Sequence, residues 1–231
     1  MTSPYPGPRV LGVDACKKGW VGISNDLRGY FGRDIHDLVA AAGRGGGLSV
    51  VAIDIPIGLP TDGPRQADAL ARALVGRRAS SVFSTPVRAA LAAASHAEAT
   101  AISVQATGNG LSQQAYALGR KILEIDVWAR NAVQPVIEVH PEVVFATLAG
   151  HPLQHPKSTW AGSEERRSVL ARAGIVVPSE IGTAGEMAGT DDILDAAAAS
   201  WTALRYAKGQ AVSHPATPER FGDGHEAAIW A

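Results

Sequence analysis

An α/β fold, a mixed sheet flanked by helices, is what this sequence predicts, and three observations carry that expectation. Residues 10–14 (Val-Leu-Gly-Val-Asp) and 50–54 (Val-Val-Ala-Ile-Asp) are short apolar runs rich in β-branched residues, the pattern of strands buried on both faces. Each run closes on an aspartate, where an open α/β sheet presents its ligand site beyond the carboxyl ends of the strands. Alanine-rich stretches at 89–94 and 196–199 favour helices to cover the sheet.

Taken in order, residues 9–14 form a first strand, and 20–24 a second. Asn25-Asp26 marks a turn, and the region around Tyr30 completes a three-stranded meander. Residues 34–42 are expected to be helical, with Asp34 as N-cap and Gly43 as stop. The Gly-rich run 43–47 is a loop into the fourth strand; without a following Gly-Lys-Ser/Thr it is not a phosphate loop. Prolines break residues 55–63, which must be irregular. Helices are expected at 65–74, 89–107 and 112–130, and a fifth strand at 136–139. Pro141 suits the first position of a helix over 141–148. Residues 157–173 should contain a helix and 191–208 another. The expectation is one domain over 10–231 with a five-stranded mixed sheet, a helical insertion at about 64–133, and a flexible tail at 1–9.

The 231 residues are 46% hydrophobic and 19% charged, as in an ordinary folded protein. A net charge of −1 gives no global attraction to nucleic acid, so any such binding must be local. A single cysteine, Cys16, excludes an intramolecular disulfide. The segment 1–9 is Pro-rich and polar rather than signal-like, and no apolar run approaches the ~18 residues of a membrane span. A cytoplasmic location is the expectation.

Asp14 and Asp54 at neighbouring strand ends would repel unless a proton or cation lies between them. A third acidic element opens the last long helix: Asp192 and Asp195 are three residues apart and share one helical face. Asp191 and Asp192 also suit a first turn with Thr190 as N-cap, but capping does not explain Asp195, one turn deeper. Asp14, Asp54, Asp192 and Asp195 therefore form a candidate set for Mg²⁺ or Mn²⁺, which favour hard oxygen donors. Two such ions would suit phosphodiester hydrolysis. Glu138, near the end of the fifth strand, is a further catalytic candidate, with a structural cap as the alternative.

These segments together resemble the domain of unknown function 429 family, regarded as predicted nucleases of the RNase H-like fold. The resemblance lies in GVDACKKGW (12–20), AIDIPIGLP (52–60), the series Arg65, Asp68, Arg72, then SSVFSTPVR (80–88), GLSQQ (110–114), EVHPE (138–142) and DDILDA (191–196). Asp192-x-x-Asp195 also resembles the acidic pair on the last helix of Holliday-junction resolvases. What the resemblance implies is an RNase H-like sheet with Asp14 on the first strand, Asp54 on the fourth, and Asp192 and Asp195 on the C-terminal helix. The chain departs from many relatives at Ala15 and Lys18, where glycines are expected.

Substrate contacts are expected from Arg65, Arg72, Arg77 and Arg88, an arginine-rich stretch suited to phosphates unless internal carboxylates claim it. Ser80 and Ser81 can add phosphate contacts, and Lys17, Lys121, Lys157 and His140 are further candidates. Trp160, in a polar context, is the tryptophan best placed to stack on a base. The leading expectation is a metal-dependent nuclease acting on DNA or RNA. A phosphotransferase or nucleotide hydrolase of the same fold class, and a non-catalytic binding module, are the alternatives.

Overall fold

The computed structural model describes residues 7–222 and 224–231; the first six residues of the expected tail lie outside them. Its centre is a mixed sheet of seven strands in the order β3-β2-β1-β4-β5-β7-β6. These are β1 (Val10–Cys16), β2 (Gly19–Ser24), β3 (Gly29–Gly32), β4 (Val50–Ile53), β5 (Val136–Val139), β6 (Ser213–Arg220) and β7 (Glu226–Trp230). The meander β1-β2-β3 is antiparallel, whereas β1, β4, β5 and β7 run parallel.

Two strands were thus missing from the expected five. β6 contains Pro215 and Pro218 and many polar residues, and pairs irregularly with β7 between His214 and Glu219. Proline tolerance of this kind belongs to sheet edges, where no partner needs its missing N–H. β7 follows it as a short Ala-rich run in which alternation is faint.

The helices are α1 (Ile35–Gly43), α2 (Gln66–Val75), α3 (Arg88–Leu91), α4 (His96–Thr107), α5 (Gln113–Ala117), α6 (Gly119–Asn131), α7 (Pro141–Ala149), α8 (Trp160–Arg172), α9 (Thr183–Met187) and α10 (Thr190–Ala207). The single helices expected at 89–107 and 112–130 are each divided. Ser95 stops the first by capping α4 through the Glu98 N–H, and Ser112 caps a separate short α5. Residues 76–81 form a 3-10 turn. Asp34 caps α1 as expected, accepting from the Asp37 N–H at 2.8 Å. Among the described residues no helix is long and apolar enough to cross a membrane.

Alternation along the strands divides the core into two layers. Leu11, Val13, Val51 and Ile53 pack with Ile35, Leu38, Ile122 and Ile125 of α1 and α6. Val10, Ala52, Ile137 and Val139 pack with α7, α8 and α10, including Ala196–Ala199. Gly12 lies on this second face, and a Cβ there would sit 2.0 Å from Ser200 N and 2.1 Å from Ala196 O. The backbone of α10 therefore rests directly on the backbone of β1.

Gly12→Ala must push the helix off the strand, and the expected loss is about 3 kcal/mol. Urea unfolding measures it. Gly47→Ala, where an added Cβ meets nothing within 4 Å among the described residues, is the near-neutral control.

Candidate metal centre

The period of two places Asp14 on the same face as Gly12, the face covered by α10. Asp54 follows β4, and its N–H donates to Val13 O at 3.0 Å, locking the end of β4 to β1. Asp195 lies on α10 one residue before Ala196, which touches Gly12. The outcome is a trio: one carboxylate oxygen from each of Asp14, Asp54 and Asp195, all within 4.8 Å of one another. Asp14 and Asp195 are buried and Asp54 is half-buried. Asp195, 2% exposed, keeps Oδ1 buried without a hydrogen-bond partner among the described residues. Its Oδ2 accepts from Lys157 Nζ at 2.8 Å.

Three acids so placed resist ionisation. Burial first, then the charges of Asp54 and Asp195, raise Asp14 well above the usual carboxylate range. Burial and Asp195 push Asp54 up to about 8. Burial raises Asp195 to about 6 against the pull of Lys157. Lys157 is held charged: burial would lower it, but Asp195, Asp14 and Asp54 raise it further.

The other expected acids, Asp192 and Glu138, also line the cavity over the trio, each bonded to a partner of its own. Asp192 lines the cavity, but its Oδ2 accepts from the Gly189 N–H at 3.0 Å, so it closes the start of α10. Gly189, rather than the expected Thr190, is the N-cap. Glu138 is in register with Ile53, on the face opposite Asp14. Its Oε2 accepts from the Ile57 N–H at 2.7 Å, and Arg65 Nη2 donates to both oxygens at 2.9 and 2.8 Å. Arg65 is 1% exposed, with its Nε 3.6 Å from Asp68, whose oxygens accept from Thr85 N–H and Oγ1. This buried group anchors the irregular segment after Asp54.

The arginine stretch is mostly claimed internally. Arg88 makes a bidentate pair with Asp126, and Arg72 donates to Val82 O and Ser84 Oγ. Arg77, Ser80 and Lys17 are exposed. Ser81 lines the cavity while its hydroxyl donates to Arg78 O. Lys121 donates to Gly19 O and stands over the Trp20 ring at 4.2 Å. His140 lines the cavity with its Nε2 3.4 Å from Ser81 O, and burial lowers its pKa, favouring the neutral ring. Cys16 is buried and free.

The cavity over the trio measures about 350 Å³ and adds Phe83, Gln114 and Leu118 to its wall. Sequence reasoning passed over Gln114, although it stands in the GLSQQ segment. It also missed the ion pair between Arg166 and Glu142, both buried, which ties α8 to α7. Nothing in residue spacing marks that pair.

Raised acid pKa values have a defined sign. A carboxyl whose folded value lies above its ordinary one adds stability when protonated, and that stability is lost as pH rises through the folded value. For Asp54 the window runs from about pH 4 to about pH 8. Without divalent ions, the wild-type melting temperature relative to Asp54→Asn should fall across that window. The difference cancels groups such as Asp126, which Arg88 and Arg130 hold low despite burial and which act in the opposite direction. Millimolar Mn²⁺ should flatten the wild-type curve. Separately, Arg65→Met should cost about 3–5 kcal/mol by leaving Glu138 buried and unpaired, measured by denaturant unfolding.

Searches of curated proteins and of solved structures each return no match. The family model described as "Protein of unknown function (DUF429)" matches residues 12–220, which takes in all three acids of the trio. The chain belongs to the DUF429 family.

Proposed function

We propose that the protein is a divalent-metal-dependent nuclease that hydrolyses phosphodiester bonds, with Mg²⁺ or Mn²⁺ held by Asp14, Asp54 and Asp195. The observation that carries this reading is the trio itself: three hard oxygen donors within 4.8 Å, with Asp195 Oδ1 buried and unpartnered. That donor set fits a hard divalent cation and offers nothing to a soft one. When bound, such an ion supplies an activated water and a counter-charge for the phosphate.

The order β3-β2-β1-β4-β5, with β2 antiparallel and β1, β4 and β5 parallel, supports an RNase H-like core. Within that reading α2 to α6 are an insertion between β4 and β5, and β7 and β6 extend the sheet. The chain's own residues divide the remaining tasks. Lys157 meets the substrate phosphate from the cavity wall. Neutral His140, on the same wall, can move a proton. Trp160 is 80% exposed at the start of α8, three residues beyond Lys157, where a base can stack on it. Arg77 and Lys17 are exposed cations for flanking phosphates.

One observation favours a second reading. A cavity of about 350 Å³ is the size of a small-molecule site, and Arg65, Arg72 and Arg88 are turned to internal partners. Hydrolysis of a free nucleotide would suit that enclosure, by the same metal chemistry.

The test is cleavage of labelled single-stranded, duplex and branched DNA and of RNA, beside a panel of nucleotides, with Mg²⁺ and Mn²⁺. Asp14→Asn, Asp54→Asn and Asp195→Asn should each lower turnover by about a thousandfold or more. Asp192→Ala should keep activity within about tenfold and lose about 1 kcal/mol of stability, as expected of a cap. Cleavage that persists in a chelator would sink the proposal. Turnover confined to nucleotides would establish the second reading.

A further inference from the structure

We infer that this site takes one divalent ion, not two, and that the Lys157 ammonium occupies the place of the second cation. The inference rests on the metal-dependent reading above and specifies how the charge of that site is balanced.

Asp195 divides its two oxygens. Oδ2 is taken by Lys157 Nζ at 2.8 Å, and Oδ1 is left buried and free for an ion. The same ammonium is 3.6 Å from Asp191 Oδ2. It therefore lies between the two acids on α10 that would otherwise serve as donors to a second ion. Asp192, the remaining acid of that helix turn, is committed to the Gly189 N–H. Charge is consistent with this count: with Lys157 in place a second divalent ion would overcompensate Asp14, Asp54, Asp191 and Asp195, whereas without it two ions balance these four.

The segment carrying Lys157 is built to hold it. Pro156 O accepts from both Thr159 N–H at 3.0 Å and Thr159 Oγ1 at 2.8 Å. Glu165 accepts from the N–H groups of Gln154 and His155 at 2.9 Å each. Arg166, fully buried, donates to His155 O at 3.2 Å and pairs with Glu142. Gly162 lets α8 press against Pro156, where a Cβ would lie 1.9 Å from the carbonyl oxygen. A lysine that merely filled the site until an ion arrived would need no such support. This one is fixed on a rigid turn with its ammonium in the wall of the cavity.

The experiment is a Mn²⁺ titration followed by calorimetry and by the spin-resonance signal of free Mn²⁺, on wild type, Lys157→Met and Lys157→Arg. Wild type and Lys157→Arg should bind one ion per chain. Lys157→Met, shown folded by circular dichroism and thermal melting, should bind two, because Asp195 Oδ2 and Asp191 become available. Its phosphodiester turnover should fall by about a hundredfold, the scale of losing one charge-stabilising donor, with a steeper dependence on metal concentration. Two ions in the wild type would overturn the inference. So would a Lys157→Met that binds one ion more tightly with unchanged turnover, since Lys157 would then be only a displaceable placeholder. Stoichiometry is read without turnover, so the two readings fail separately. One ion in wild type and two in Lys157→Met, without hydrolysis of any phosphodiester, would uphold the lysine and sink the nuclease. No ion in the wild type would sink both.

Discussion

The seating of α10 on β1 through Gly12 is the constraint on which the rest depends. Strand and helix meet backbone to backbone because Gly12 has no side chain and its neighbours on the helix are alanine and serine. A helix held that close carries Asp195 to the strand that carries Asp14. Parallel pairing of β4 with β1 then brings Asp54 to the same end of the sheet. The trio is a consequence of these two contacts, and it places like charges where burial opposes charge. One ammonium, from a turn braced by Glu165 and Arg166, offsets part of that penalty.

The charged interior has two designs side by side. Around Arg65, Arg88 and Arg166 each buried carboxylate faces a guanidinium, and these pairs fasten the segment after β4, the α3–α6 contact and the α7–α8 contact. Such pairs contribute little net stability but are expensive to break singly. Around Asp14, three acids share one lysine. The imbalance, rather than the number of acids, distinguishes the trio from its surroundings.

The strand-end aspartates were legible because a carboxylate closing an apolar β-branched run has no packing role. Asp195 was legible because it sits too deep in its helix for capping. Both arguments rest on local grammar. Glu138 and Asp192 line the same cavity without belonging to the trio, and spacing shows such neighbourhood but not direction. Glu138 faces the other side of the sheet by the strand period, and Asp192 bends back to its own helix start. The arginines suffered from the same gap: a local excess of positive charge is visible in sequence, whereas Asp126 and Glu138, which claim Arg88 and Arg65, lie far along the chain. The edge strand β6 was hidden by its prolines and polar residues, and with it the partner of β7. The break before α4 is marked in sequence by the capping Ser95 inside an alanine-rich run, whereas the break at Leu118 between α5 and α6 carries no capping residue.

The trio also has a temporal aspect. Its acids come from residues 14, 54 and 195, and the helix that brings the last of them spans Thr190–Ala207. Contacts this distant along the chain make for slow folding, since much of the polypeptide must be ordered before they form. A ribosome-bound chain shorter than about two hundred residues has its first two aspartates but not the third, nor α10 to shield them. The carboxylate trio is thereby completed only when the sheet is covered, and a chain that stops short of α10 lacks its third member.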